Sequence, residues 1–240
     1  MVVTTTAIAF ISSSLGLGLC GFLFLRAFRK MGGLKAGNKA SFLFLLFVFG
    51  TALQHAIMGF GNLFFVNSPV ALHNVVTVGN IFLALSATVG VYLISYLFPA
   101  QISAWVATTT TLLFGIIVVI ATIIAPFSPF VDIGNSIDWN FPHWLEILIY
   151  LLVLINISAL LCTSVAMFSR SKGYDVKVIS FVLVIVTSLG LLNIFLRFIL
   201  LSEGVGPART RFFDVTLTII GIVLFAGLLI TPLIRRYIKD

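Results

Sequence analysis

Apolar residues in this chain arrive in blocks of about twenty, separated by short polar connections, and within a block they do not alternate. Segments 42–49 and 178–186 are apolar at nearly every consecutive position. A bilayer core of roughly 30 Å takes about 20 helical residues to cross, and a helix satisfies its own backbone amides where lipid offers none. A membrane β-barrel would instead show short segments alternating polar and apolar. The blocks therefore predict helices over 7–25, 41–65, 72–97, 101–125, 144–168, 178–201 and 214–234. The first block follows no basic segment and is long enough to span, so it reads as the first helix rather than a cleaved leader. The expected class is all-α: a polytopic membrane protein, one domain over residues 1–240, built as a bundle of about seven transmembrane helices.

Composition agrees. Of 240 residues, 60% are apolar and 9% charged, with a mean hydropathy of +1.21. That is too little charge to cover a soluble domain of this size. The excess of Lys and Arg, 14 against 7 acids, lies in the connections. Residues 26–40 carry Arg26, Arg29, Lys30, Lys35 and Lys39; residues 169–177 carry Arg170, Lys172 and Lys177; the tail carries Arg235, Arg236 and Lys239. With seven spans these eleven of the 14 basic residues fall on one side. Basic residues beside span ends mark the cytoplasmic face, so the expectation is N-terminus outside and C-terminus inside. The positive balance is thus a matter of topology and not of nucleic-acid binding. Cys20 and Cys162 lie within spans and read as packed small side chains, not as a disulfide framework or zinc site.

The connection 126–143 is rich in turn formers and ends in Trp139, Phe141 and Trp144, the pattern of an interfacial aromatic anchor. Span four is set apart from span three only by Phe98, Pro99 and Ala100. A faint echo links Thr51 with Thr187, and Val76-Thr77-Val78 with Val215-Thr216-Leu217, as in a parallel three-helix repeat joined by span four.

In lipid a polar side chain needs a partner or a cavity, so intramembrane polar residues are the first functional candidates. His55 and Asn62 are seven apart in span two, beside Gln54, and share a helical face. His73, Thr77 and Asn80 form one stripe on span three, and Asn193 and Arg197 another on span six, with Asn156 on span five. His55, Asn62, His73, Thr77, Asn80, Asn193 and Arg197 are the candidate ligand-binding set, gathered in the outer half of the membrane. The competing reading is interhelical hydrogen bonding, worth about 0.6 kcal/mol per contact. For Arg197 that reading is snorkelling or a pair with Asp214. No catalytic set and no metal set is assigned, and the cofactor is left open: GxSxG, HExxH and Walker patterns are absent, and only His55 lies deep enough for a haem ligand.

Seven spans of this length, with Ser202-Glu203-Gly204 before the last and Asp214-Val215-Thr216 opening it, resemble a microbial rhodopsin in outline. That family holds retinal on a lysine in the middle of span seven. Segment 214–234 contains none, the nearest downstream being Lys239, so retinal attachment is excluded. The three-plus-one-plus-three sugar transporters share the outline but place prolines within spans, whereas here the seven prolines lie in loops or at an end. The expectation is a non-catalytic membrane subunit or sensor-like protein of the plasma membrane. It would pack with other membrane chains or with itself, and take a small ligand in an outward-facing pocket. The alternative is a transporter or channel using the polar faces of helices two, three and six.

Overall fold

The computed structural model describes residues 3–30, 39–98, 103–132, 135–171, 173–202 and 207–238, with side chains at 28, 30, 197–202, 207–212 and 230–238 excepted. The elements are α1 (Thr5–Lys30), α2 (Lys39–Phe64), α3 (Pro69–Leu97), α4 (Ala104–Ile124), β1 (Phe130–Val131), β2 (Ile137–Asp138), α5 (His143–Arg170), α6 (Tyr174–Ser202) and α7 (Pro207–Ile238). Six helices are long and apolar enough to cross a membrane, and α7 carries an apolar stretch over Phe213–Leu229. The chain is a multi-pass, all-α membrane protein.

Several helices outrun the apolar blocks because their ends are made by polar residues. Thr4 accepts the Ala7 amide at 3.1 Å as the cap of α1. Ser68 does the same for Ala71 ahead of Pro69 in α3, where a proline's missing N–H costs nothing. Basic side chains finish the opposite ends. Arg170 Nη1 donates to the Leu97 carbonyl at 3.0 Å and lies over the Phe98 ring, closing the C-terminus of α3. Lys39 Nζ donates to the Tyr92 hydroxyl at 2.8 Å and sits over the Tyr92 ring.

Six helices close a ring in the order α1, α2, α3, α5, α6, α7, back to α1, and α4 stands outside it against α3. Close approach decides two of these contacts. A Cβ at Gly115 of α4 would lie 2.5 Å from the Ala84 Cβ of α3, and one at Gly221 of α7 would lie 2.6 Å from the backbone of Ser12 and Ser13 in α1. Only glycine lets these axes come together. Residues of α4 such as Leu113, Ile116, Ile117 and Ile120 point away from the protein, towards the lipid.

Inside the ring the two halves differ. Towards the Arg170 and Lys39 end, Phe24, Phe44, Phe47, Leu93, Ile179, Leu183, Leu224 and Leu228 form one buried apolar cluster, with the Phe24 and Phe44 rings 4.7 Å apart. Towards the other end the connection between α4 and α5 forms a short antiparallel hairpin, with Phe130 opposite Asp138 and Val131 opposite Ile137. The sequence predicts only turns there. The hairpin exists because Asp132 Oδ1 accepts the Ser136 amide at 2.9 Å, and Asn135 takes the left-handed conformation (φ 60°) that Asn tolerates.

Candidate functional site

Above the packed half the ring encloses a cavity of about 170 Å³. All six ring helices line it and α4 does not: Phe10 and Ser13 come from α1, Gln54 and His55 from α2, Asn80 from α3, Glu146 and Tyr150 from α5, Thr187 and Asn193 from α6, Phe213 and Leu217 from α7. Trp139 and Phe141, which follow the hairpin, complete the wall. The volume is roughly ten times what a single water needs.

Most of the polar groups at this cavity hold one another. Ser13 Oγ and His55 Nδ1 are 2.7 Å apart, joining α1 to α2, and the Phe10 ring meets the imidazole edge-on at 5.5 Å. Thr51 Oγ1 and Ser86 Oγ are 2.6 Å apart, and both hydroxyls also bond the Phe47 carbonyl. The Asn156 amide completes this node, with Nδ2 3.4 Å from Thr51 Oγ1 and Oδ1 3.4 Å from Ser86 Oγ, so α2, α3 and α5 meet there. Asn80 Nδ2 donates to Thr122 Oγ1 at 3.0 Å and so fastens α4 to the ring. Tyr150 donates to Glu146 Oε1 at 2.7 Å. Two acceptors differ. Gln54 Oε1 and Asn193 Oδ1 are buried and have no hydrogen-bond partner among the described residues.

The hairpin, which leads into the wall residues Trp139 and Phe141, is fastened by hydroxyls at the start of α1. The Ile137 amide donates to Thr6 Oγ1 at 2.9 Å, and Thr6 Oγ1 donates to Asp214 Oδ2 at 2.6 Å. Alongside, Ser136 Oγ lies 2.7 Å from Thr5 Oγ1, which is 3.1 Å from the same carboxylate oxygen. The Thr5 amide donates to the Asn135 carbonyl at 2.9 Å. Asp214, only 1% exposed, thus fixes the hairpin to α1 and α7 together. Ile137 and Trp139 then pack on Phe10, Met58, Leu72, Val75 and Val76.

No protein-family model matches this chain, and no curated protein matches it significantly.

Of the candidate ligand-binding set, the structure brings His55, Asn80 and Asn193 to one cavity, and Gln54 and Asn156, named beside them in the sequence, line it too. Asn62 is fully buried elsewhere, with both amide atoms unpartnered among the described residues. His73 lies outside the cavity, stacked on Phe127 at 4.2 Å, and Thr77 bonds back to the His73 carbonyl at 3.0 Å. The Arg197 side chain lies outside the described residues, and with it the Arg197–Asp214 pair. Thr51 and Thr187, the echoed positions, both line the cavity. The aromatic group divides. Trp144 is 48% exposed, as an interfacial anchor should be, but Trp139 is turned inward and stacks on Phe141 at 6.0 Å. Cys20 is packed as expected, whereas Cys162 is exposed at the outer surface of α5, because the helix turns that position away from its neighbours.

Sequence reasoning missed Ser13, Glu146, Tyr150 and Trp139 as wall residues, and named Gln54 without including it in the candidate set. Glu146 and Tyr150 stand at i and i+4 on one helical face, a legible signal. Trp139 had none, since its direction depends on the hairpin.

Proposed function

We propose that this chain is a non-catalytic, sensor-like membrane protein that binds a small molecule in the cavity beneath the hairpin and acts through partner membrane proteins or a second copy. Its N-terminus and hairpin lie outside and its C-terminus inside, a reading supported by the eleven basic residues of the other face. One observation carries the binding reading: six helices wall a cavity of about 170 Å³ in which polar side chains such as His55, Asn80 and Asn156 stand among aromatic ones. The packed cluster around Phe24, Phe44 and Phe47 supports binding over passage, because the cavity stops above it.

The test is thermal melting of the full chain in mild detergent against a library of small uncharged molecules. The expected result is that some members raise the Tm and that filling the cavity with Gly190→Phe abolishes the response. Solute flux through proteoliposomes containing the chain alone, blocked by the same substitution, would overturn the proposal in favour of transport.

A further inference from the structure

The surface of α1 carries a site apart from the cavity. Ile8, Leu15 and Phe22 recur every seven residues and so share one face of that helix, where they are 46%, 58% and 58% exposed. That face is turned away from the ring, towards lipid. The next seven-residue step lands on Arg29, and Arg26 follows Phe22 by one turn; both arginines are exposed. Phe22, Leu25, Arg26 and Arg29 line a groove that is apolar at one end and cationic at the other.

The two guanidinium groups are not used by the fold. At the same end of the protein Arg170 holds the Leu97 carbonyl and Lys39 holds the Tyr92 hydroxyl. Arg26 and Arg29 make no hydrogen bond or ion pair with any described residue. No Asp or Glu occurs before Asp132, so the connection that follows α1 offers them no counter-charge and adds Lys30, Lys35 and Lys39. Like charges at this spacing on a helix repel, and an anion between them removes that cost. The apolar half of the groove decides which anion fits. From Phe22 to Arg29 the helix rises about 10 Å, so the ligand must place an apolar part in the membrane and its charge at the interface. A soluble anion would leave Phe22 and Leu25 idle.

We infer that this groove holds an anionic phospholipid, its phosphate between Arg26 and Arg29 and an acyl chain along Leu25, Phe22 and Leu15. Arginine suits the task because its planar fork meets phosphate oxygens two at a time. Near an anionic surface each such cation strengthens binding about fivefold.

Lipid retention by the full chain in mild detergent is read by native mass spectrometry, with the Tm as a second measure. The probes are phosphatidylglycerol, phosphatidylcholine with the same chains, and glycerol phosphate, which carries the anion without a chain. Phosphatidylglycerol is expected to bind at least tenfold more tightly than phosphatidylcholine and to raise the Tm, and glycerol phosphate to do neither. Arg26→Gln combined with Arg29→Gln should weaken phosphatidylglycerol binding about twenty-five-fold, the two fivefold factors multiplied. Its lipid-free Tm should match the parent, because both side chains are exposed. Arg26→Lys with Arg29→Lys keeps both charges and should still prefer phosphatidylglycerol, so damage to the fold by the glutamines cannot decide the matter; loss of that preference overturns the inference. Equal retention of the two phospholipids overturns it too, as does glycerol phosphate binding as tightly as the lipid. An equal loss in Lys177→Gln, whose exposed side chain lies outside the groove, would replace the site with diffuse charge. A second copy of the chain retained in place of lipid, and released by the same glutamines, refutes the lipid assignment.

Discussion

Thr6 is one of two threonines whose hydroxyls fasten the hairpin, and its replacement by valine tests that account. Valine keeps the shape of threonine and removes only the hydroxyl. In the native chain that hydroxyl accepts the Ile137 amide at 2.9 Å and donates to Asp214 Oδ2 at 2.6 Å, both buried. A hydrogen bond to a charged acceptor contributes about 1.5–3 kcal/mol, and an orphaned buried amide costs about 1–3 kcal/mol. Thr5 still serves the carboxylate at 3.1 Å, which offsets part of the loss. About 3 kcal/mol remains, roughly a hundredfold in the opening equilibrium of the hairpin. Amide hydrogen exchange over residues 135–140 reads that equilibrium directly, since local opening is what exposes the Ile137 amide. Protection there should fall about a hundredfold in Thr6→Val, while the packed half around Phe44 and Leu183 exchanges as before. Thr6→Ser, which retains the hydroxyl, should stay near the parent. Unchanged protection in Thr6→Val, or equal loss in Thr6→Ser, would falsify the latch.

Other expectations follow from single contacts. Gly221→Ala should lower the Tm by an amount equivalent to about 1–3 kcal/mol, because the new Cβ meets the Ser12 and Ser13 backbone at 2.6 Å, whereas Gly18→Ala, with open space at its Cβ, should be neutral. Ser86→Ala and Asn156→Leu should couple by about 0.6 kcal/mol in a double-mutant cycle of thermal unfolding, the scale of interhelical hydrogen bonds in lipid; strict additivity would dissolve the three-helix node. For orientation, a membrane-impermeant thiol reagent applied to intact cells should reach a cysteine placed at Ser128, which is exposed before the hairpin, and miss one placed at Lys35. Labelling at position 35 alone reverses the topology.

The helices were legible because hydropathy in a membrane is nearly a local property: block length alone places α1 to α7. What lies between helices was not. Trp139 and Trp144 are five residues apart and look alike in sequence, yet one enters the cavity and the other faces outward. The difference is made by Asp132, Asn135 and Thr6, two elements distant in the chain. Polar stripes told where hydrogen bonds would form but not with whom. Asn80 and Thr77 share a face, yet Asn80 bonds Thr122 of α4 and Thr77 bonds its own helix. His55, Asn80 and Asn193 were found because intramembrane polarity itself is informative. Gln54 was named beside His55 but left out of the candidate set, since its place in the wall is visible only when the ring is closed.

The closure between α1 and α7 also orders events in time. Thr6 and Asp214 are 208 positions apart, the separation over which the hairpin is fastened. During synthesis α1 to α6 can enter the membrane and begin to pack before α7 exists. Until α7 arrives, Thr5 and Thr6 have no carboxylate to hold, the wall at Phe213 and Leu217 is missing, and the cavity is a groove open to lipid. Insertion of α7 therefore completes the cavity wall and the anchorage of the hairpin in one step, so the closed ring exists only once that helix is in place.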